Sequence, residues 1–238
     1  FAEELSGMGH HVRLVHFPHY AERAFERVEK EETQGYEAIA FSRNRWSILT
    51  NTKRMLALAK WADVVHFQKC FPYATLPALL AAYICDKPVH YDWDDWEYEI
   101  YRFAPPSRII GWYLNLMEML LPRVVDSVSV ASLQLRRLCH KIGVDDSRLF
   151  ETHVGADLDE FSPAVSGNEI RARYGIKGPI AVYVGQLHSG QYIELFIKAA
   201  RALKETNICF LIVGGGYALQ HYLDMAKDLV DIGKIIFT

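Results

Sequence analysis

The sequence predicts an α/β fold built from two successive parallel-sheet units, and three observations carry that prediction. Short β-branched runs alternate with longer segments of helical periodicity, the pattern of β-α-β units. The alternation breaks near residue 163 at FSPAVSGNEIRARYGIKGP, whose proline, serines and glycines suit a linker. It then resumes in the order strand, glycine turn, helix. With 50% of its 238 residues hydrophobic, the chain can fill sizeable cores.

The first segment, FAEELSGMGH, reads as a helix already under way, and HVRLVHF as the strand after it. AERAFERVEKEETQ (residues 21–34) is mostly charged and is expected to be an exposed helix or loop. YEAIAF is the next strand. RWSILTNTKRMLALAKWA sets Trp46, Leu49, Met55, Leu56 and Leu58 at loosely helical spacing. ADVVHFQ, KPVHYDW, DSVSVAS and RLFETHV follow as strands. Among them lies IIGWYLNLMEMLLP (residues 109–122), an apolar run broken by Asn115 and Glu118. It falls short of the roughly 18 residues of a membrane-spanning candidate, so a buried helix is expected. Beyond the linker, PIAVYVG, ICFLIVG and KIIFT read as strands, with YIELFIKAARALKE and YALQHYLDMAKDLVDI as the helices between them. The expected organisation is two Rossmann-like domains, residues 1–165 without an opening strand and residues 166–238 as the first part of another. The chain reads as a fragment cut at both ends.

Charge and cysteine content narrow the function classes. Twenty-six basic against 29 acidic side chains leave a net charge of -3, so no whole-molecule field favours nucleic acid or an anionic membrane. Any anion site must be local. Cys70, Cys85, Cys139 and Cys209 are widely spaced without a C-x-x-C pair, which speaks against a zinc ribbon or a secreted disulfide framework. No signal peptide opens the chain, and a reducing, cytoplasmic setting is expected.

In open parallel sheets ligands sit beyond the carboxyl ends of the strands, so loops there are the functional candidates. GQLHSGQ (residues 185–191) follows a strand and precedes a helix whose free N–H groups suit diphosphate oxygens. Gly185 and Gly190 would let the backbone come close, and Gln186, Ser189 and Gln191 could donate further hydrogen bonds. A plain β-α turn fits this loop equally well. Gly214 to Gln220, in IVGGGYALQ, fit a dinucleotide fingerprint, G-x-G followed by a small or apolar residue, but a complete β-α unit precedes them where such a fingerprint usually opens its domain; Gly214 and Gly215 are the further donor-binding candidates. His10, His11, His16 and His19 place no clean metal-ligand pair on one helix face. His66 is read at the carboxyl end of its strand, with Lys69 beside it as an anion contact.

The ordered set of segments resembles a known family. FAEELSGMGHHVRLV, WADVVHFQ, VVDSVSVASLQLRRLCHKIGV and VGADLDEFSP are similar, in order and spacing, to the retaining GT-B glycosyltransferases of family 4, also called group 1. Gly155, Asp157, Phe161 and Pro163 match the motif that closes that family's first domain, and AVYVGQLHSGQYIELFIKAARAL with FLIVGGG resemble the opening of its donor-binding domain. The resemblance implies transfer of a sugar from a nucleotide-diphosphate sugar to a glycan or lipid-linked acceptor hydroxyl, with retention of configuration. It implies that the nucleotide-sugar donor lies mainly on the second domain and the acceptor mainly on the first, that stabilised phosphate charge does more than a protein nucleophile, and that neither metal nor cofactor is needed. Gln186 and Gln191 stand where the family usually has an arginine and a lysine. The family's glutamate pair would fall after residue 238 and its glycine-rich loop before Phe1, so the 238-residue chain by itself is expected to be inactive. A dinucleotide-dependent oxidoreductase and a non-catalytic nucleotide-sugar-binding protein are the rival classes. The helix around Trp112, with the basic-aromatic FSRNRW, could touch the inner face of a membrane.

YDWDDWEYE (residues 91–99) gathers the remaining candidates. Asp92-Trp93-Asp94 is a D-x-D triplet, but the resemblance makes a metal unnecessary. Asp94 and Asp95 align with the His-Asp pair that in the family often stands near the reacting sugar, and are the candidate catalytic residues. Asp94 and Glu97 also have capping-box spacing for the helix that follows.

Overall fold

The computed structural model describes residues 1–18, 32–33, 35–102, 107–188 and 191–238. The chain divides into two compact units, Phe1–Gly155 and Ala156–Thr238. Most of the segment 21–34 that was expected to be an exposed helix or loop lies outside the described residues.

The first unit begins with α1 (Ala2–Gly7) and β1 (Val12–His16), then β2 (Glu32–Thr33) and β3 (Tyr36–Ala40). It continues through α2 (Ile48–Trp61), β4 (Val65–Gln68), α3 (Pro72–Ile84), β5 (Val89–Trp93), α4 (Glu97–Arg102), α5 (Arg108–Val124), β6 (Ser127–Val130), α6 (Leu133–Lys141) and β7 (Leu149–Glu151). These strands form two sheets. One has the order β1-β3-β2, with β1 parallel to β3 and β2 antiparallel to it. The other has the order β4-β5-β6-β7, all parallel.

Period-2 alternation gives the four-stranded sheet two unlike faces. Val65, Phe67, Val89, Tyr91, Trp93, Val128 and Val130 are buried in one hydrophobic core with residues of α2, α3, α5 and α6. On the alternate positions Gln68 is exposed, the His66 side chain is 32% exposed, and His90 and Asp92 are half-buried. Helix starts follow local chemistry. Ser107 accepts a hydrogen bond from the Ile110 N–H (3.1 Å) to open α5, Ser132 does the same for Leu135 (3.3 Å) at α6, and Pro72 supplies a preset φ at the first turn of α3.

The second unit holds α7 (Asn168–Tyr174), β8 (Ile180–Val184), α8 (Gln191–Ala202), β9 (Cys209–Val213), α9 (Leu219–Met225), α10 (Lys227–Val230) and β10 (Ile235–Phe237). Its parallel sheet has the order β10-β9-β8. Ile193, Ile197, Phe210, Ile212, Tyr222 and Leu229 form its core. The single helix expected over YALQHYLDMAKDLVDI is two short ones, joined at Ala226.

No helix among the described residues is long and apolar enough to cross a membrane. The run expected to be a buried helix is α5, buried at Leu114, Met117, Glu118, Leu121 and Pro122. Leu114 is wholly buried beneath the sheet. Leu114→Ala is expected to cost about 2–5 kcal/mol, read as a drop in the chemical-denaturation midpoint.

Candidate active site

The candidate site of the first unit is built where β4 and β5 end. β5 stops at Trp93, and the chain turns through Asp94, Asp95 and Trp96 into α4. β4 stops at Gln68, and Lys69 takes a left-handed backbone conformation, φ 67°, before α3. That geometry is uncommon for a side chain with a Cβ. The Thr75 hydroxyl, itself buried, donates to the Lys69 carbonyl at 2.9 Å and pins the turn.

The turn aims the Lys69 ammonium at three carboxylates: Asp94 at 2.9 Å, Asp95 at 2.6 Å and Glu97 at 2.9 Å. Burial pulls the ammonium down, but its hydrogen bonds to Asp95, Asp94 and Glu97 outweigh that and hold it well above an ordinary lysine. The ammonium of Lys69, read from sequence as an anion contact, is paired here with these three carboxylates. Three carboxylates surround one cation, and the local charge is negative. Asp94 uses Oδ2 for Lys69, and its buried Oδ1 has no hydrogen-bond partner among the described residues.

The capping box expected between Asp94 and Glu97 does not form. The Glu97 side chain goes to Lys69, and the first N–H groups of α4 are capped from another helix. Glu118 of α5, fully buried, accepts from the Glu97 N–H (2.7 Å) and the Trp93 indole (3.1 Å) on Oε1, and from the Tyr98 N–H (2.9 Å) on Oε2. In the sequence Glu118 was only an interruption of an apolar run. A lone carboxylate at a core position of a helix was the available signal.

His66 does not join Asp94 and Asp95. It is the second residue of β4, two before the strand's end, on the polar face of the sheet. Its ring packs between those of Phe1 (4.9 Å) and His90 (5.1 Å), with Nε2 3.9 Å from Asp92. A hydrogen-bonded chain runs beside it, from Ser127 through His90 (2.8 Å) and Ser129 (3.0 Å) to Asp92 (2.7 Å). Ser129 has one proton and gives it to Asp92, so His90 carries its own on Nε2 and accepts the Ser127 hydroxyl at Nδ1. Burial lowers the pKa of both histidines, further for His66 through His90, while Asp92 opposes the shift in each. Asp92, the first member of the D-x-D triplet, thus pairs with Ser129 and lies beside His66 on the polar face of the sheet.

In the second unit the two glycine loops lock onto one another. Gly185 N–H donates to the Val213 carbonyl (3.1 Å), Leu187 N–H to Gly215 (2.9 Å) and Ala218 N–H to Leu187 (3.1 Å). A Cβ on Gly214 would lie 2.0 Å from the Gly185 carbonyl oxygen, and one on Gly216 2.3 Å from that of Leu187. These two glycines are required by close loop packing, whatever ligand the loops take. Gln186 pairs its side chain with His188, whose ring stacks on Tyr217 at 4.9 Å. Gln191 opens α8, and Ser189 and Gly190 lie outside the described residues. Gly216→Ala is expected to destabilise this unit by about 1–3 kcal/mol through overpacking alone, read by thermal unfolding without ligand.

Several solved structures share the fold. A glycosyltransferase from Rickettsia africae superposes with a TM-score of 0.68 at 17% identity, over 100% of this chain and 62% of that one. Sucrose-phosphate synthase from Thermosynechococcus elongatus gives 0.67 at 16% identity, over 100% and 62%. HepE from Anabaena, in complex with UDP-glucose, gives 0.65 at 14% identity, over 96% and 69%. This chain thus spans about three-fifths of the length of the first two. At these identities the likeness is one of fold, the α/β GT-B fold with its parallel sheets. A comparison with curated protein sequences finds no match. The model of the glycosyl transferase 4-like domain matches residues 1–155, the whole of the first unit and well over half of the chain, and the chain therefore belongs to that family.

Proposed function

We propose that the protein containing this chain transfers a sugar from a nucleotide-diphosphate donor to an acceptor hydroxyl with retention of configuration, as a hexosyltransferase of cytoplasmic polysaccharide biosynthesis. The acceptor, a glycan or lipid-linked sugar, would meet the first unit and the donor the second. The observation that carries the reading is Asp94. It stands at the carboxyl end of a central parallel strand in a family 4-like domain, and its buried Oδ1 has no hydrogen-bond partner among the described residues. A buried acceptor without a donor is costly, and a sugar hydroxyl would relieve that cost. Asp95 and Glu97 hold Lys69 and through it fix the Asp94 side chain.

Donor diphosphate charge would be met on the second unit by backbone N–H groups at the start of α8 and by neutral amides in place of cations. Such a site binds the leaving diphosphate less strongly than one with arginine and lysine. Binding without turnover, a scaffold that retains only the donor site, is the rival outcome of the assay. No metal or cofactor enters the proposed chemistry.

The test is turnover of UDP- and GDP-sugars by the whole protein, wild type against Asp94→Asn. Loss of one charge-assisted contact at the reacting sugar is expected to lower kcat about 10- to 100-fold with the melting temperature nearly unchanged. Normal turnover with lowered melting would assign Asp94 a purely structural role.

We infer a peripheral membrane contact from α5 as well. Ile109, Trp112, Leu116 and Leu120 recur along its exposed side, and Arg108 and Arg123 stand near its two ends. Trp46, in the basic-aromatic segment, is also exposed. Sedimentation with vesicles containing anionic lipid at low salt is expected to capture the protein, and Trp112→Glu to weaken that capture. No binding by wild type would remove the idea.

A further inference from the structure

We propose that Glu118 is the positioning residue of the Asp94–Asp95 turn, which its ionised carboxylate holds in the geometry needed for sugar transfer. The proposal rests on the transferase reading above and goes beyond it by naming a group that touches no substrate.

The geometry carries the argument. Trp93 and Glu97 bracket the turn, and Glu118 binds both: the Trp93 indole on one side, the Glu97 and Tyr98 N–H groups on the other. Its Oε1 is shared by the two ends of the turn, so the carboxylate fixes their separation. The residues between them, Asp94 and Asp95, then meet Lys69 at 2.9 and 2.6 Å. A carboxylate is acceptor-only and can serve all three donors, whereas an amide or a protonated carboxyl turns one oxygen position into a donor facing an N–H.

Protonation is within reach. Burial pushes the Glu118 carboxyl up to about 7, against the pull of its three N–H donors and with a smaller upward push from Glu97. Burial raises the Cys70 thiol and the Tyr91 hydroxyl, so both stay neutral, and Glu97 and Asp94 are engaged by Lys69.

The consequence separates positioning from mere stability, because the two respond to pH with opposite sign. A carboxyl raised in the folded state binds its proton more tightly there than in the unfolded chain. Its stability contribution is therefore greatest below the unfolded value of 4.5 and is lost as pH rises through about 7. The clamp works the other way, complete above about 7 and loosened below it. Transfer is expected to fall as pH drops through about 7 while the contribution of Glu118 to stability rises.

The experiment compares wild type, Glu118→Gln and Glu118→Asp in the whole protein, with kcat and donor KM measured across pH 5–9 well below the melting temperature. Glu118→Gln is expected to lower kcat roughly 10- to 100-fold with donor KM nearly unchanged, since small misplacement of a reacting group costs about that much. It should also abolish the acid limb near pH 7, and Glu118→Asp should restore part of that limb. Without turnover, the indole N–H resonance of Trp93 follows the same ionisation, moving through about pH 7 in wild type and staying fixed in Glu118→Gln. Wild-type turnover with an unchanged kcat and acid limb in Glu118→Gln overturns the proposal, as does a Trp93 resonance that ignores pH. Absence of turnover in wild type, with the Trp93 titration present, overturns the transferase reading instead.

Discussion

The first unit's candidate site depends on a buried carboxylate that, among the described residues, is held by N–H donors and not by a cation. Glu118 lies wholly inside the core, where an ionised group with too few donors would cost several kcal/mol. Three N–H groups supply what a counter-ion would otherwise supply, and two of them are the orphan donors at the start of a short helix. One carboxylate thereby caps the helix, and the same donors offset part of the cost of its own burial. A second acidic group, Glu97, is then free to reach Lys69. The ordering runs outward from α5, through the start of α4, to the carboxylates around the lysine.

The second unit uses backbone instead of charge. Its two glycine loops meet at separations that admit no side chain at Gly214 or Gly216, and hydrogen bonds run between them in both directions. Tyr222 adds to this by donating its hydroxyl to the His188 carbonyl at 2.5 Å. The described part of the first loop, Gly185 to His188, is thus held by the second loop and by the core helix that carries Tyr222.

The sequence was legible where a period or a glycine turn dominates. Every strand expected from β-branched runs lies where it was read, because alternation along Val89, Tyr91 and Trp93 leaves only one face to bury. The position of Asp94 and Asp95 beyond a strand end followed from the same register. What the sequence did not reveal was long-range pairing. Asp94 and Glu97 have ideal local spacing for a capping box, yet a carboxylate 21 residues from Glu97 takes that role. His66 was placed by its neighbours in sequence, whereas its surroundings come from Phe1 and from the adjacent strand. Local rules cannot see a partner brought in by tertiary packing, and buried polar groups are satisfied mainly by such partners.

Lys69 joins two properties that are usually separable. Its backbone lies in the left-handed region, which costs a residue with a Cβ about 1–3 kcal/mol, and its side chain holds three carboxylates. Removing the ammonium therefore also changes how readily the chain takes this turn. Methionine would keep the strain and lose the charge, glycine would lose both, and asparagine would relieve part of the strain while keeping a polar group. A neutral residue here would leave three anions facing one another over a turn with less reason to be bent. At this position conformation and electrostatics are joined in one residue, and a set of replacements that varies them independently tells them apart.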